Sequence, residues 1–499
     1  MNDKLNKLKK LTTEIYDLRM CNALLEWDQQ VNMPAAGSAA RAAQMSLLSR
    51  SAHELATSDR MGQLLEDLKP LYAELPPDSD DYCLLRNIYR DYERERKVPV
   101  EYVSEFTQTT GEAFAAWDRA KAENDFASFK PLLGKIFDMR RQYAGFFAPY
   151  DHIYDPLLDD FEPGMKTSDV LAVFRTLRDE QVKLLHDIGA RPQVDDSCLN
   201  CHCGDEGQWA LCREAVKLIG YDLNRGRIDE AEHPFTTNFC RDDVRITTHI
   251  YEDNVMSAVF SSLHEGGHAI YEQGVAKELD RTPIGTGASL AIHESQSRLW
   301  ENLVGRSLEF LGCFYPRIQQ QFPRRFGSVP LNDFYRAVNR VEPSLIRVEA
   351  DEATYNLHIM LRMELEIAML EQKITVDDLP EIWREKMHEY LGVTPANDTQ
   401  GVLQDVHWAG GMIGYFPTYA LGNLISAQVW EKAAEDLPEL NAQMARGELT
   451  PLREWLTEKL YRHGAKYYPS ELVRMITGGG IDPRPYLNYL NRKYRAIYA

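Results

Sequence analysis

His264-Glu265-Gly266-Gly267-His268 carries the pattern H-E-x-x-H. On a helix, His264 and His268 stand one turn apart on a single face, where two neutral imidazoles can share a metal ion. Glu265 projects beside that face, close enough to take a proton from a metal-activated water. A hydrolytic zinc site also needs a third protein ligand and an open position. Glu294, in the run His293-Glu294-Ser295-Gln296, is the best choice, because the intervening segment is long enough to turn and bring a second helix back. On spacing alone, His293 or another acid fills the role equally.

The flanks support a built site. Val255, Met256, Val259, Phe260 and Leu263 make the preceding helix apolar, so the polar groups that follow are buried and must find partners. Gly266 and Gly267 each cost a mid-helix position roughly 1 kcal/mol against alanine. A glycine pair there fits the close approach of another backbone or of a substrate.

The elements that must position these residues read as mostly helical. Apolar spacings of three and four run through residues 1 to about 60, broken at Val31-Asn32-Met33-Pro34. Long amphipathic helices fit 80–145, after the loop Leu75-Pro76-Pro77-Asp78-Ser79-Asp80, and another fits 170–188. β-branched and aromatic residues cluster at 233–239 and 243–251, separated by Cys240-Arg241-Asp242, which predicts a β-hairpin beside the metal helix. An exposed edge of that hairpin suits an extended peptide. The metal helix is expected from Asp253 or Asn254 to about Gly274, and the next from Ser289 to Leu303. Further helices are expected at 331–341, 345–372, 379–392, 420–436 and 451–463. The Gly-rich, aromatic stretch 401–419 reads as a loop crossing a site.

The formal charge of −20 argues against nucleic acid as a partner, since phosphate binding needs clustered Lys and Arg. Nothing reads as a membrane span, and the charged start Met1-Asn2-Asp3-Lys4 lacks a secretory apolar run. A cytoplasmic protein with reduced cysteines is expected. Cys198, Cys201, His202, Cys203 and Cys212 have thiolate-ligand spacing, but no distant second C-x-x-C pair completes a zinc site.

Several motifs together resemble the carboxypeptidase Taq, or M32, family of metallocarboxypeptidases. His264-Glu265-Gly266-Gly267-His268 and His293-Glu294-Ser295-Gln296 are joined by His233-Pro234-Phe235 (H-P-F) and Asp243-Val244-Arg245-Ile246-Thr247 (D-x-R-x-T). Ile346 to Asp351 matches I-R-x-x-A-D, and Gly401 to Trp408 matches G-x-x-Q-D-x-H-W. The resemblance spans essentially the whole chain. It implies a large helical zinc-peptidase fold with a deep groove, a single domain over 1–499, and N-terminal helices (about 1–150) covering the cleft. It further implies one zinc per chain, replaceable by cobalt, on His264, His268 and Glu294, with Glu265 as general base. The implied activity is release of single C-terminal amino acids with broad specificity, C-terminal proline being disfavoured, by a homodimer.

An exopeptidase must also recognise a free carboxylate, for which a planar guanidinium is suited. Arg347 is the first candidate and Arg245 the second, with His233 of the H-P-F motif also assigned to substrate binding. The structural alternative for either arginine is an ion pair with a neighbour such as Asp243, Glu349 or Asp351. His407, Tyr415 and Tyr419 are candidates for stabilising the oxyanion. A zinc endo-oligopeptidase or dipeptidyl carboxypeptidase on the same scaffold is the nearest rival reading.

Overall fold

The break at Pro34 ends the first helix, α1 (Asn2–Val31), as the restricted residue before a proline requires. The computed structural model describes residues 2–499. After α1 come α2 (Ser38–Ala56), α3 (Asp59–Glu74), α4 (Asp80–Lys97), α5 (Val100–Glu123) and α6 (Phe126–Gly145). The short α7 (Asp155–Asp159), α8 (Thr167–Gly189) and α9 (Asp205–Ile219) lead to a small sheet of β1 (Ile228–Glu230), β2 (Thr236–Cys240) and β3 (Asp243–Thr248). Then follow α10 (Val255–Gly274), α11 (Leu290–Arg298), α12 (Leu308–Gln321), α13 (Pro323–Phe326) and α14 (Leu331–Val338). Beyond them lie α15 (Tyr355–Leu370), α16 (Leu379–Leu391) and α17 (Pro417–Asp436), and further helices run to Ile497. The mostly helical fold expected from the sequence is what forms. Among the described residues no helix is long and apolar enough to cross a membrane.

The expected hairpin is present as β2 and β3, paired antiparallel with Thr236 opposite Ile246. A third strand, β1, adds to it in parallel, so the strand order is β1-β3-β2. This strand of Ile228, Asp229 and Glu230 is too short and too charged to give a β signal of its own. Val244 and Ile246 of β3 are fully buried against the core.

Two other expectations change. The helix expected over 345–372 starts only at Tyr355. Ahead of it the Asp351 carboxylate accepts hydrogen bonds from the backbone N–H groups of Ala353 (2.8 Å) and Thr354 (3.1 Å), and such local bonds displace helix. Arg347 sits in a single 3-10 turn, Arg347–Glu349, its N–H donating to Gln404 Oε1 at 2.9 Å. The helix expected over 289–303 is α-helical only to Arg298 and continues as a π-helix, Leu299–Gly305.

The largest hydrophobic cluster joins residues from α5 to the C-terminal helices, with α10, α15 and α17 contributing heavily. A second one unites Leu5, Leu8 and Leu11 of α1, Leu65 and Leu68 of α3, and Leu84 and Leu85 of α4. Ala52 of α2 joins it, as do Val275, Leu279 and Ile284 from the segment after α10.

Candidate metal centre

α10 begins where the Asn254 side chain accepts a hydrogen bond from Ser257 N at 3.2 Å, a cap that satisfies one free donor of the first turn. Its apolar residues bury against α9, α11 and β3, which turns the histidine face inward. The glycine pair explains how closely α10 is approached. A Cβ on Gly267 would lie 2.7 Å from Gln296 O and 2.8 Å from Ser297 Cα, both backbone atoms of α11. One on Gly266 would meet Ile219 Cδ1 of α9 at 2.9 Å. From the other side Gly422 of α17 makes room for Glu294, whose Cγ lies 2.8 Å from where its Cβ would be. Small residues on α10 and α17 thus let α11 wedge between them.

That wedge carries Glu294 to the histidines. Glu294 Oε2 lies 3.5 Å from His264 Nε2 and 3.4 Å from His268 Nε2. Among the described residues these three are the one group of His, Cys, Asp or Glu donors converging within 4.8 Å. Tetrahedral zinc with ligands at 2.0–2.1 Å sets its donors about 3.3–3.4 Å apart, so the spacing fits such an ion. His293, the alternative ligand, turns away from this focus.

The outer ring nitrogens are each held. His264 Nδ1 is 2.9 Å from Glu301 Oε2. His268 Nδ1 is 2.5 Å from His293 Nδ1, and His293 Nε2 is 2.7 Å from Glu272 Oε1. With both Nε2 atoms facing the focus, these bonds fix the tautomers: each Nδ1–H donates outward, and His293 passes its own N–H to Glu272. Metal-ligating histidines are oriented in this way in many sites. Burial works against protonating His264, but Glu294 and Glu301 outweigh it and hold the imidazole up at about 10. Burial pushes His268 down to about 3.

Glu265 faces the sheet, where the Thr236 hydroxyl donates to its Oε2 at 2.6 Å. One strand pleat further, Asn238 Nδ2 donates to Glu272 Oε2 at 3.0 Å. Alternate β2 residues thus hold the two carboxylates spaced seven apart on α10. Burial raises the Glu265 carboxyl above its usual range. The outer end of β2 is also occupied, since Tyr16 of α1 donates its hydroxyl to Phe239 O at 3.1 Å.

Next to the focus is a cluster of aromatic and cationic groups. Arg298 Nε donates to Glu294 Oε1 at 2.8 Å, and its guanidinium stacks 4.6 Å from the Tyr355 ring centre. Tyr355 OH in turn accepts from Arg347 Nη1 at 3.0 Å. Arg347 is buried, with Nε and Nη2 on Asp405 Oδ1 at 3.0 and 2.8 Å. The ion pair is thus with Asp405, not with the neighbours Glu349 or Asp351. Tyr419 packs 5.3 Å from the Arg347 guanidinium, its hydroxyl 3.5 Å from His407 Nε2. Tyr415 meets Tyr419 edge-on at 5.2 Å. His407 is pushed down to about 4 by burial, and its Nδ1 is buried without a partner. Burial raises both tyrosine hydroxyls above their ordinary range.

Arg245 and His233 stand apart from this cluster. Arg245 forks onto Asp243, with Nε and Nη2 each 2.8 Å from a carboxylate oxygen. It also stacks on Trp27 of α1 and Phe239, at 4.4 and 4.9 Å. His233 is exposed on the connection from β1 to β2. Among the cysteines, Cys201 Sγ and Cys203 Sγ approach to 3.5 Å, and all are free thiols. Cys198, Cys201, Cys203 and Cys212 form no second ligand cage.

Sequence reasoning missed Thr236, Glu272, Arg298, Glu301 and Tyr355. Glu294, Arg298 and Glu301 are spaced i, i+4, i+7, a same-face signal that could have drawn the last two together. Asp405 lies inside a motif already noted. Thr236 and Tyr355 carry no sequence signal of their own.

The model of the carboxypeptidase Taq (M32) metallopeptidase family matches residues 7–494. Thermostable carboxypeptidase 1 of Thermus thermophilus is 43% identical over 491 residues, with 96% of each chain covered. Carboxypeptidase 1 of Bacillus subtilis is 40% identical over 477 residues, with 95% of each covered. Among solved structures, an M32 carboxypeptidase from Deinococcus radiodurans R1 superimposes with a TM-score of 0.97, at 39% identity and 99% coverage of both chains.

Proposed function

Because the chain belongs to the M32, or carboxypeptidase Taq, family of metallopeptidases, we propose that it is a zinc-dependent carboxypeptidase releasing single amino acids from free peptide C-termini. The observation that carries this reading is the convergence of His264 Nε2 and His268 Nε2 on one oxygen of Glu294, with Glu265 next to it on α10. His264, His268 and Glu294 hold one zinc per chain, for which cobalt can substitute. The ion, when bound, supplies Lewis-acid polarisation of water and of the scissile carbonyl.

The chain's own groups do the rest. Glu265 is the general base, and burial, by raising its proton affinity, brings it closer to the Brønsted optimum at neutral pH. The Thr236 hydroxyl orients it at 2.6 Å, and the proton gained passes to the leaving amine. Arg347 receives the substrate carboxylate, held in place by Asp405 and Tyr355. His407, neutral at pH 7, and the protonated hydroxyls of Tyr415 and Tyr419 are the donors for the oxyanion. Arg245 and His233 contact substrate further along the sheet.

The finer reading is of a single-domain cytoplasmic homodimer with broad side-chain preference, acting poorly on C-terminal proline. The N-terminal helices cover the cleft, a role supported by their separate hydrophobic cluster. Glu265→Gln tests the mechanism: the variant should retain zinc and lose about 10²- to 10⁴-fold in turnover. Wild-type activity in that variant would remove Glu265 from the chemistry.

A further inference from the structure

Glu294 has two carboxylate oxygens, and they are used differently. Oε2 is the atom that both imidazoles face, at 3.5 and 3.4 Å, and it also accepts from Ser297 Oγ at 2.9 Å. Oε1 is taken by Arg298 Nε at 2.8 Å. Arg298 is itself anchored at several points. Its Nη1 donates to Glu301 Oε2 at 3.2 Å, and Glu301 Oε2 also accepts from His264 Nδ1 at 2.9 Å. Its guanidinium plane lies on the Tyr355 ring, 4.6 Å from the centre. The i, i+4 spacing of Glu294 and Arg298 on α11 makes the first contact local. The change to π-helix after Arg298 brings Glu301 round to meet both Arg298 and His264.

A carboxylate free at both oxygens can bind a cation through one or through both. Chelation through both uses an additional coordination position, and a hydrolytic site must keep a position open. A guanidinium donating to Oε1 opposes chelation in two ways. It occupies a lone pair in charge-assisted geometry, and it sets a positive charge beside the oxygen a cation would need.

We infer that Arg298 is a positioning residue that restricts Glu294 to one metal-facing oxygen and so keeps a coordination position open for the reaction. This rests on the metal reading of His264, His268 and Glu294, and it assigns a role to a side chain outside the ligand set. A merely structural role for Arg298 makes the opposite prediction. Losing a supporting contact ordinarily weakens metal binding by about 10- to 100-fold. Freeing Glu294 Oε1 to chelate tightens it.

Cobalt reports the coordination number directly, because four-coordinate Co2+ absorbs visible light far more strongly than six-coordinate Co2+. The full chain and the variants Arg298→Gln and Arg298→Lys are loaded with Co2+. Their visible spectra and rates of Co2+ loss to a chelator are compared, along with kcat and KM on a short free-acid peptide. In Arg298→Gln the visible absorption per Co2+ should fall to about half or less as coordination rises. Metal loss should slow, and kcat should fall with little change in KM. Arg298→Lys, whose ammonium still reaches Oε1, should return towards the wild-type spectrum. An unchanged spectrum in Arg298→Gln overturns the inference, as do faster metal loss or equal changes in both variants. A wild-type chain that takes up no Co2+ at all would instead overturn the metal reading beneath it.

Discussion

Replacing Gly267 with alanine places one methyl group between the two helices that carry the proposed ligands. In a free helix this change is favourable by about 1 kcal/mol. Here the new carbon would stand 2.7 Å from Gln296 O and 2.8 Å from Ser297 Cα, against an ordinary contact of about 3.5–4.0 Å. Neither obstacle is a side-chain end that can swing away, so α11 must retreat by about 1 Å. Overpacking of this kind costs about 1–3 kcal/mol, which leaves the fold between unchanged and about 2 kcal/mol less stable once helix propensity is counted. The larger effect falls on the site. Glu294 Oε2 now sits 3.5 and 3.4 Å from the two imidazoles, and a retreat of α11 takes it out of tetrahedral range. A misplacement of about 1 Å lowers turnover by about 10²-fold. The assay pairs a chemical melt with zinc titration and kcat/KM. Gly111→Ala on α5, where nothing lies within 4 Å of the added carbon, is the control and should gain about 0.5–1 kcal/mol. Zinc affinity and turnover unchanged in Gly267→Ala would refute the claim that α10 and α11 meet at contact distance to build the site.

Two more outcomes follow from buried charges elsewhere. Arg347→Ala should lower kcat/KM on free-acid peptides by about 10- to 100-fold, with zinc content unchanged, because Asp405 keeps Arg362 Nε as a partner at 2.6 Å. A fall in thermal stability with normal kinetics would return Arg347 to a structural ion pair. Glu162 is fully buried, with Oε1 accepting from Ala291 N at 2.6 Å and Oε2 unpartnered, and burial pushes its carboxyl up to about 8. An unfolded glutamate ionises near 4.3. Between that pH and about 8 the native state therefore holds the extra proton, and stability declines as pH rises, by up to about 1.4 kcal/mol per pH unit. Glu162→Gln should flatten that decline in metal-free melts at pH 5 and pH 8, and equal slopes in variant and wild type would contradict the assignment.

Local patterns carried most of the helical architecture. Pro34 marked the end of α1, Asn254 the start of α10, and β-branched runs the pairing of β2 with β3. The same was true of the metal focus, because His264 and His268 share a helix and Glu294 lies in a recognisable run. What stayed hidden depends on contacts distant in sequence. Asp351 unwinds the expected start of α15 through bonds to its neighbours' backbone, which apolar spacing does not register. Thr236 meets Glu265, and Asp405 meets Arg347, only because β2 and the loop before α17 fold back onto the site. The π-helical turn that brings Glu301 to His264 leaves hydrophobic periodicity almost unaltered. The glycine pair was legible as a sign of close approach, while the identity of the approaching backbone, α11, emerged only in three dimensions.

In the proposed mechanism, metal-dependent hydrolysis begins at a free carboxyl terminus. This is tested most directly by digesting matched peptides, identical except for a C-terminal acid or amide, with the zinc-loaded protein and following the products by mass spectrometry. The account predicts stepwise loss of single residues from the acid, no cleavage of the amide, and silence in both after chelation. Efficient cleavage of the amide, or cuts within the peptide, would contradict it.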